Sequence, residues 1–418
     1  MMTEAILVYI DLNGNSELVG RLWSHIRDRR ESATFEYDGE WLRSPRKFAL
    51  EPALKLTPGP HQTPDSRSIF SAIGDSAPDR WGRFLMRRAA RRKAGREGKR
   101  SGTLFERDYL LMVNDMTRQG ALRFRLDPDG PFLADSGGIV LPPLVDLPKL
   151  LQASDKVMRD EDSYEELRLL LAPGSSLGGA QPKSSVIDSN GNLSIAKFPS
   201  AGDEYNRILW EAAALRMAQD SGISTPERTV VNVAGKSVLL LKRFDRSGKG
   251  RTPFLSGMSM VGSFDNQTGS YLELADAIRR FGASPARDLR KLWSRIVFTV
   301  LISNVDDHMR NHGFLYNGVD GWLLSPAYDL NPTPADVKPR ILSTTIDLND
   351  STASLELALE VREYFGIEKK DAMDIVSRTA HVEEKWRSYA GSFSIPSTEI
   401  LRMESAFEHD DLEYALSL

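Results

Sequence analysis

The chain has 418 residues, 41% of them hydrophobic and 27% charged, with a net charge of −4 and no cysteine. That length allows two or three domains with a sizeable core, and the balance excludes a disordered or fibrous chain. The absence of cysteine excludes disulfides, iron–sulfur clusters, thiolate zinc sites and cysteine nucleophiles, and the small negative charge gives no sign of a dedicated nucleic-acid binder.

Apolar runs are short, as at 238–241. A membrane helix needs about 20 apolar residues, so no span is expected. The start lacks the basic residues and long apolar core of an export signal, so a cytoplasmic location is expected.

The first elements read as antiparallel strands. Residues 5–10 are β-rich and run into Asn13-Gly14, a hairpin signal. Residues 34–42 alternate and turn at Asp38-Gly39, and the Pro-rich stretch 57–64 must be loop. Residues 76–100 read as helix, with Trp81, Phe84, Leu85 and Met86 as core candidates. Ten Arg or Lys lie between Arg80 and Arg100 against one Glu. They form either a solvated face or a surface for an anionic partner. Turn residues in 126–146 mark a boundary, and 163–171 read as a short helix.

Strand-like segments then recur at 184–188, 193–198, 228–233 and 237–242, with a helix over 203–221 between the two pairs. Paired strands of this kind differ from a βαβ repeat. From about 270 the pattern is mostly helical, with candidates at 271–280, 286–303, 353–365, 369–380 and 397–407. The apolar stretch 296–302 predicts a buried helix.

The densest polar cluster, 303–312, follows that buried helix and contains Asn304, Asp306, Asp307, His308, Asn311 and His312. Helix capping by Asn304 and the Asp pair is the structural alternative. A zinc-protease helix would need Glu after His308, where Met309 stands. Metal ligation by Asp306, Asp307 and His308, as in a phosphohydrolase, stays open. Asp306 and Asn311 are five residues apart, the spacing of a protein-kinase catalytic loop, in which the Asp serves the attacking hydroxyl and the Asn binds Mg²⁺. Asn317-Gly318 between apolar flanks predicts a hairpin, and Asp329 follows it, eighteen residues after Asn311. That is where a kinase places its metal-binding Asp.

Upstream, Gly174 to Ser184 contains adjacent glycines that let backbone N–H groups approach phosphate, although a plain glycine turn gives the same pattern. Lys197 lies on an apolar strand, where an ammonium is costly unless paired. Glu211 lies fourteen residues on, inside the expected helix. The order of glycine turn, strand Lys, helix Glu, Asp-x₄-Asn and Asp is that of a kinase.

The motifs Ser176-Leu-Gly-Gly-Ala-Gln-Pro-Lys183, Lys197-Phe-Pro199, Lys242-Arg-Phe-Asp245, Asn304-Val-Asp-Asp-His-Met-Arg-Asn311 and Ser325-Pro-Ala-Tyr-Asp329 together resemble the HipA-type serine/threonine kinases of bacterial toxin–antitoxin systems. The resemblance implies an α+β, two-lobed protein-kinase-like fold of the phosphatidylinositol-kinase type. It would comprise a β-rich N-terminal subdomain with the basic helix (1–137), an N-lobe (138–246) and a helical C-lobe (247–418). It implies ATP and Mg²⁺ as cofactors and Asp306 as catalytic base, with Asn311 and Asp329 as metal ligands. It further implies nucleotide contacts from Ser176, Gly178, Gly179, Ala180, Gln181, Lys197, Glu211, Lys242, Phe244, His308, Asn311 and Asp329. Ser176, or its neighbour Ser175, would be autophosphorylated. The implied partners are a DNA-binding antitoxin, operator DNA through that complex, and a protein substrate, which for some members is an aminoacyl-tRNA synthetase. Asp329-Leu330-Asn331 lacks the glycine of a DFG motif. The motifs do not distinguish a protein kinase from a small-molecule kinase, or either from an idle kinase-like scaffold that binds DNA or an antitoxin.

Overall fold

The computed structural model describes residues 4–133, 141–172, 179–248, 250–264 and 267–418. The chain divides into two compact units, Met1–Gly202 with Val231–Leu255, and Asp203–Val230 with Ser256–Leu418.

The first unit opens with a five-stranded antiparallel sheet. Strands Ile6–Leu12, Asn15–Arg27 and Arg30–Tyr37 follow one another, and Pro60–Gln62 and Leu122–Arg125 form the two edges. Asn13 (φ 56°) and Gly14 (φ 84°) make the first turn, and Leu12 pairs with Asn15 across it. Two residues of positive φ match the type I′ hairpin that Asn-Gly favours. The alternation at 34–37 belongs to the third strand. Asp38 then ends it by capping a short helix, Gly39–Arg43, through a bond from the Glu40 amide.

The basic segment is a helix over Arg80–Arg96, N-capped by Asp79. Its apolar face, Trp81, Leu85 and Ala89, packs with Leu150, Leu151 and Val157 of the helix Leu147–Met158 and with Leu167 and Leu170 of Tyr164–Leu171. The same core holds Val186, Ala196, Val238 and Leu240 of a second antiparallel sheet. Its strands Lys183–Ile187, Leu193–Lys197, Lys236–Lys242 and Arg228–Val233 stand in that spatial order.

The second unit contains the helix Arg207–Asp220 and a series of helices from Gly257 onward. Its centre is the helix Pro285–Leu301, buried on all sides over its last seven residues, Arg295 to Leu301. The expected hairpin is present as Gly313–Tyr316 and Trp322–Leu324, with Tyr316 opposite Trp322. Among the described residues, no helix is long and apolar enough to cross a membrane.

Candidate active site

The site in the second unit grows out of the end of the buried helix. Helix Pro285–Leu301 stops, Ser303 takes a left-handed φ of 52°, and the chain turns into the polar loop 304–312. Left-handed backbone in a residue other than glycine costs about 1–3 kcal/mol and persists only where its surroundings hold it. Here the surroundings are dense. Asn304 donates its amide to Thr299 O at 3.0 Å, and its Oδ1 accepts the Asn331 amide at 3.1 Å. Ser303 O accepts the Thr333 amide at 3.2 Å. Val305 O accepts both the amide and the hydroxyl of Ser343, each at 3.0 Å. Asn304 thus fastens the loop of Asp306 to the loop of Asp329, as a structural reading of that residue allows. Sequence reasoning placed Asn304 in the polar cluster, with helix capping as its structural alternative, and gave no sign of this bridge.

Within the loop, Asp306 and Asp307 face opposite ways. The Asp306 side chain is 53% exposed and Asp307 is 3% exposed. The Asp306 carbonyl accepts the His308 amide at 2.8 Å and Asn311 Nδ2 at 3.3 Å. That second bond fixes the Asn311 amide and leaves its Oδ1 as the possible ligand atom. Lys338 Nζ lies 3.3 Å from Asp306 Oδ1, an ion pair on which sequence reasoning was silent. Residues Met309–Asn311 form a 3-10 turn, so His308 and His312 do not share the α-helical face that a zinc-protease site uses. His308 Nδ1 is buried and makes no hydrogen bond among the described residues. His312 instead stands beside Asp307, its Nε2 at 3.1 Å from Oδ2.

Asp329 also has a left-handed backbone, φ 60°, at the place where the kinase pattern has its metal-binding Asp. Asn331 Nδ2 donates to its Oδ1 at 3.3 Å, and Tyr328 OH donates to Arg310 O at 2.8 Å. Mg²⁺ takes one or two protein oxygens together with substrate phosphates. The Asn311 amide oxygen and the Asp329 carboxylate are hard donors of that kind and fit it. Among the described residues, no three His, Asp or Glu side chains converge as a self-sufficient metal cage.

The first unit carries the other half of the expected site residues. Ser176 and Gly178 lie outside the described residues, as does Ser175. Gly179 has φ +91°, and its carbonyl accepts the Trp81 amide at 3.3 Å and Lys183 Nζ at 3.2 Å. Ala180 is exposed, and Gln181 Nε2 donates to Phe198 O at 2.6 Å. Lys197 is buried on strand Leu193–Lys197, opposite Lys183 on one side and Leu239 on the other. The Lys183 ammonium, also buried, meets Asp79 Oδ2 at 2.8 Å. Burial pushes the Asp79 carboxyl up, against the pull of Lys183. The end of the glycine segment is thereby tied to the cap of the basic helix. Glu211 is buried in helix Arg207–Asp220 and belongs to the second unit, whereas Lys197 belongs to the first.

Lys242 and Phe244 alternate with two buried residues, Arg243 and Asp245. Arg243 Nε donates to Asp245 Oδ1 at 2.8 Å, and Arg246 Nη1 and the Gly120 amide donate to Oδ2 at 2.9 and 2.8 Å. Burial works against this carboxylate, but Arg243 and Arg246 hold it well below the usual range. Asp115 similarly receives Arg123 at 2.6 Å and Arg251 at 2.8 Å. Fully buried Arg118 gives its guanidinium to the Ser76, Leu110 and Val113 carbonyls, each at 2.9 Å. The alternation of Lys-Arg-Phe-Asp hints at one buried side of that strand end. The partners more than a hundred residues away leave no local signal.

The basic helix is less free than its composition suggests. Arg88 pairs with Asp160 and Asp162, Arg83 pairs with Glu106, and Arg96 lies 3.0 Å from Glu165. Arg87, Arg91, Arg92 and Lys93 are exposed, although Arg92 also reaches Asp162 at 3.5 Å.

The fold is α+β and protein-kinase-like. Residues 175–386, half of the chain, match the HipA-like C-terminal domain, and the chain belongs to the HipA-like family. A Haemophilus influenzae protein named "Putative kinase" is 25% identical over 200 residues, covering 41% of this chain and 56% of the relative. A second protein of that description, from Sinorhizobium fredii, is 26% identical over 191 residues, covering 40% and 44%. The chain thus spans about half the length of the curated relatives it matches. The fold is that of HipA in the Shewanella oneidensis complex of HipA, HipB and operator DNA, with a TM-score of 0.67 and 16% identity over 99% of each chain.

Proposed function

We propose that the chain is an ATP- and Mg²⁺-dependent protein serine/threonine kinase acting as the toxin of a toxin–antitoxin system. The observation that carries the reading is the pairing of an exposed Asp306 with an Asn311 whose amide is bonded to the Asp306 backbone, on a loop that Asn304 fastens to the loop of Asp329. In this reading a substrate hydroxyl gives its proton to Asp306 as its oxygen bonds to the γ-phosphorus. The bond from that phosphorus to the β–γ bridging oxygen breaks, and ADP leaves. Asn311 and Asp329 would hold Mg²⁺, which neutralises charge on the phosphates when bound. The buried His308 Nδ1, Gly179, Ala180, Gln181, Lys197 and the backbone at Lys242 and Phe244 would serve the nucleotide, with Glu211 orienting Lys197. Ser176 or Ser175 would be the self-modified residue. The HipB–DNA assembly of the Shewanella oneidensis HipA supports a DNA-binding antitoxin and operator DNA as partners. An aminoacyl-tRNA synthetase is the substrate class that the family suggests.

The test is incubation of purified protein with γ-labelled ATP, with and without a chelator. The reading predicts chelator-sensitive label on protein. Label that appears only on a metabolite would identify a small-molecule kinase, and absence of any turnover would leave a scaffold.

A further inference from the structure

Asp307 has no part in the chemistry just proposed, yet its side chain is buried and partnered. Its carboxylate is turned inward, away from Asp306. Tyr271 OH donates to Oδ2, and His312 Nε2 lies 3.1 Å from the same oxygen. Tyr271 is fully buried at the first position of helix Tyr271–Phe281, which is fixed by a capping box of Ser270 and Glu273. The Tyr271 and His312 rings meet edge to face, with centroids 5.5 Å apart. His312 is held from the other side as well, since its carbonyl accepts the Gly257 amide at 2.6 Å. A Cβ on Gly257 would come within 2.7 Å of Met309 O, so the glycine is what lets that segment approach the loop. Arg295, buried in helix Pro285–Leu301, feels the Asp307 charge and donates Nη2 to Ser325 O, just before the segment that carries Asp329. Burial alone would raise the Asp307 carboxyl, but His312 and Tyr271 keep it below its ordinary range.

A buried anion with such partners is expensive to move, because any shift strips it of the Tyr271 hydrogen bond and of the neighbouring His312 ring in a medium that cannot replace them. Asp306 is the next residue along a rigid peptide unit. We propose that Asp307, Tyr271 and His312 form a buried positioning clamp for Asp306, fixing the 306–307 peptide so that the Asp306 carboxylate emerges toward solvent while its carbonyl stays bonded to Asn311. These three are positioning residues, since none touches the reacting atoms. The clamp rests on the kinase reading for its purpose, though not for its geometry.

The test uses Tyr271→Phe and Asp307→Asn in the full chain, assayed for phosphoryl transfer and nucleotide affinity, with hydrogen exchange of the 303–312 amides. Displacing a reacting group by about 1 Å costs on the order of 10²-fold in rate. Tyr271→Phe keeps the ring and should lower kcat by roughly 10- to 100-fold, with the KM for ATP unchanged within about twofold. Asp307→Asn should lose as much, and the double variant should lose no more than the worse single one, as expected of groups that act as a unit. Amide exchange in 303–312 should quicken in both, with the rest of the second unit still protected. Wild-type kcat in Tyr271→Phe together with unchanged exchange would overturn the clamp. Equal loss of kcat and nucleotide affinity, with protection lost throughout the unit, would reduce it to a packing role. If the wild type transfers no phosphate, the kinase reading fails by itself, and exchange in the loop still decides whether the clamp exists.

Discussion

Among the described residues, the Asp115–Asp245 cluster of the first unit and the Asp307 cluster of the second are both buried, and they differ in what they leave open. In the first unit, Asp115 and Asp245 are surrounded by Arg123, Arg251, Arg243 and Arg246. Arg118 is spent on backbone carbonyls. That cluster joins strand Leu122–Arg125 and the preceding loop to the chain after strand Lys236–Lys242, and no carboxylate adjoins Asp115 or Asp245 in the chain. In the second unit, Asp307, Tyr271, His312 and Arg295 make a smaller cluster, and the residue beside Asp307 is an exposed carboxylate. Buried charge alone therefore does not mark a functional site. The proposed site adds an exposed acid covalently adjacent to the buried charge, on a loop shared with Asn311.

The comparison can be broken by substitutions that ought to separate stability from chemistry. The largest effect is expected at Asp306. Asp306→Asn keeps the shape and removes the proposed base, so phosphoryl transfer should fall by about 10²–10⁴-fold while nucleotide binding stays near wild type. Calorimetry of ATP binding beside a transfer assay would check both halves. Asp245→Ala should do the reverse. It strips Arg243 and Arg246 of their shared anion, and breaking a buried pair costs about 3–5 kcal/mol. Denaturant unfolding should show that loss, and whatever protein remains folded should keep its transfer rate per molecule.

A smaller effect separates the units by pH. Burial raises the Glu51 carboxyl to about 7, although the Ala72 amide, at 2.6 Å, and Arg67 oppose the shift. A carboxyl raised in the folded state is no burden below its unfolded pKa of about 4.3. As pH climbs from there to about 7, the unfolded chain ionises first and the first unit loses stability. Glu51→Gln should flatten that slope in melts taken between those limits, and an unchanged slope would assign it to other groups. The smallest effect concerns the basic helix. Arg88 is committed to Asp160 and Asp162, so only its exposed neighbours can serve a partner. Replacing Arg87, Arg91 and Lys93 by Glu should weaken binding of an antitoxin–operator complex with little change in thermal stability, and the deficit should shrink in salt. A variant that melts early instead would show that this face is structural.

Much of this was legible in the sequence where the signal is local. The hairpin around Asn317-Gly318, the buried run at 296–302 and the spacing of Asp306, Asn311 and Asp329 need only neighbouring residues to be read. The helix Leu147–Met158 escaped because the turn residues of 126–146, which run up to Pro142-Pro143, mark a boundary directly before it. Pro148 sits at the start of the helix, where its missing N–H costs nothing. The Arg and Asp clusters escaped for a different reason. Arg is rarely buried, and nothing near Arg243 in the sequence announces the carbonyls of Thr117 and Arg118 that receive it. Asp307 was visible as part of an acidic pair, but which of two adjacent carboxylates faces inward depends on Tyr271, thirty-six residues earlier.

The proposed chemistry has Asp306 take the proton of a hydroxyl whose oxygen receives the γ-phosphoryl group, and one measurement reaches it directly. Wild-type and Asp306→Asn protein would be produced in the same cells without a partner and mapped by peptide mass spectrometry. The account predicts phosphate on Ser176 or Ser175 in the wild type and none on the same peptide of the variant. Equal occupancy in both proteins would mean that another enzyme places the phosphate, and would contradict the role given to Asp306.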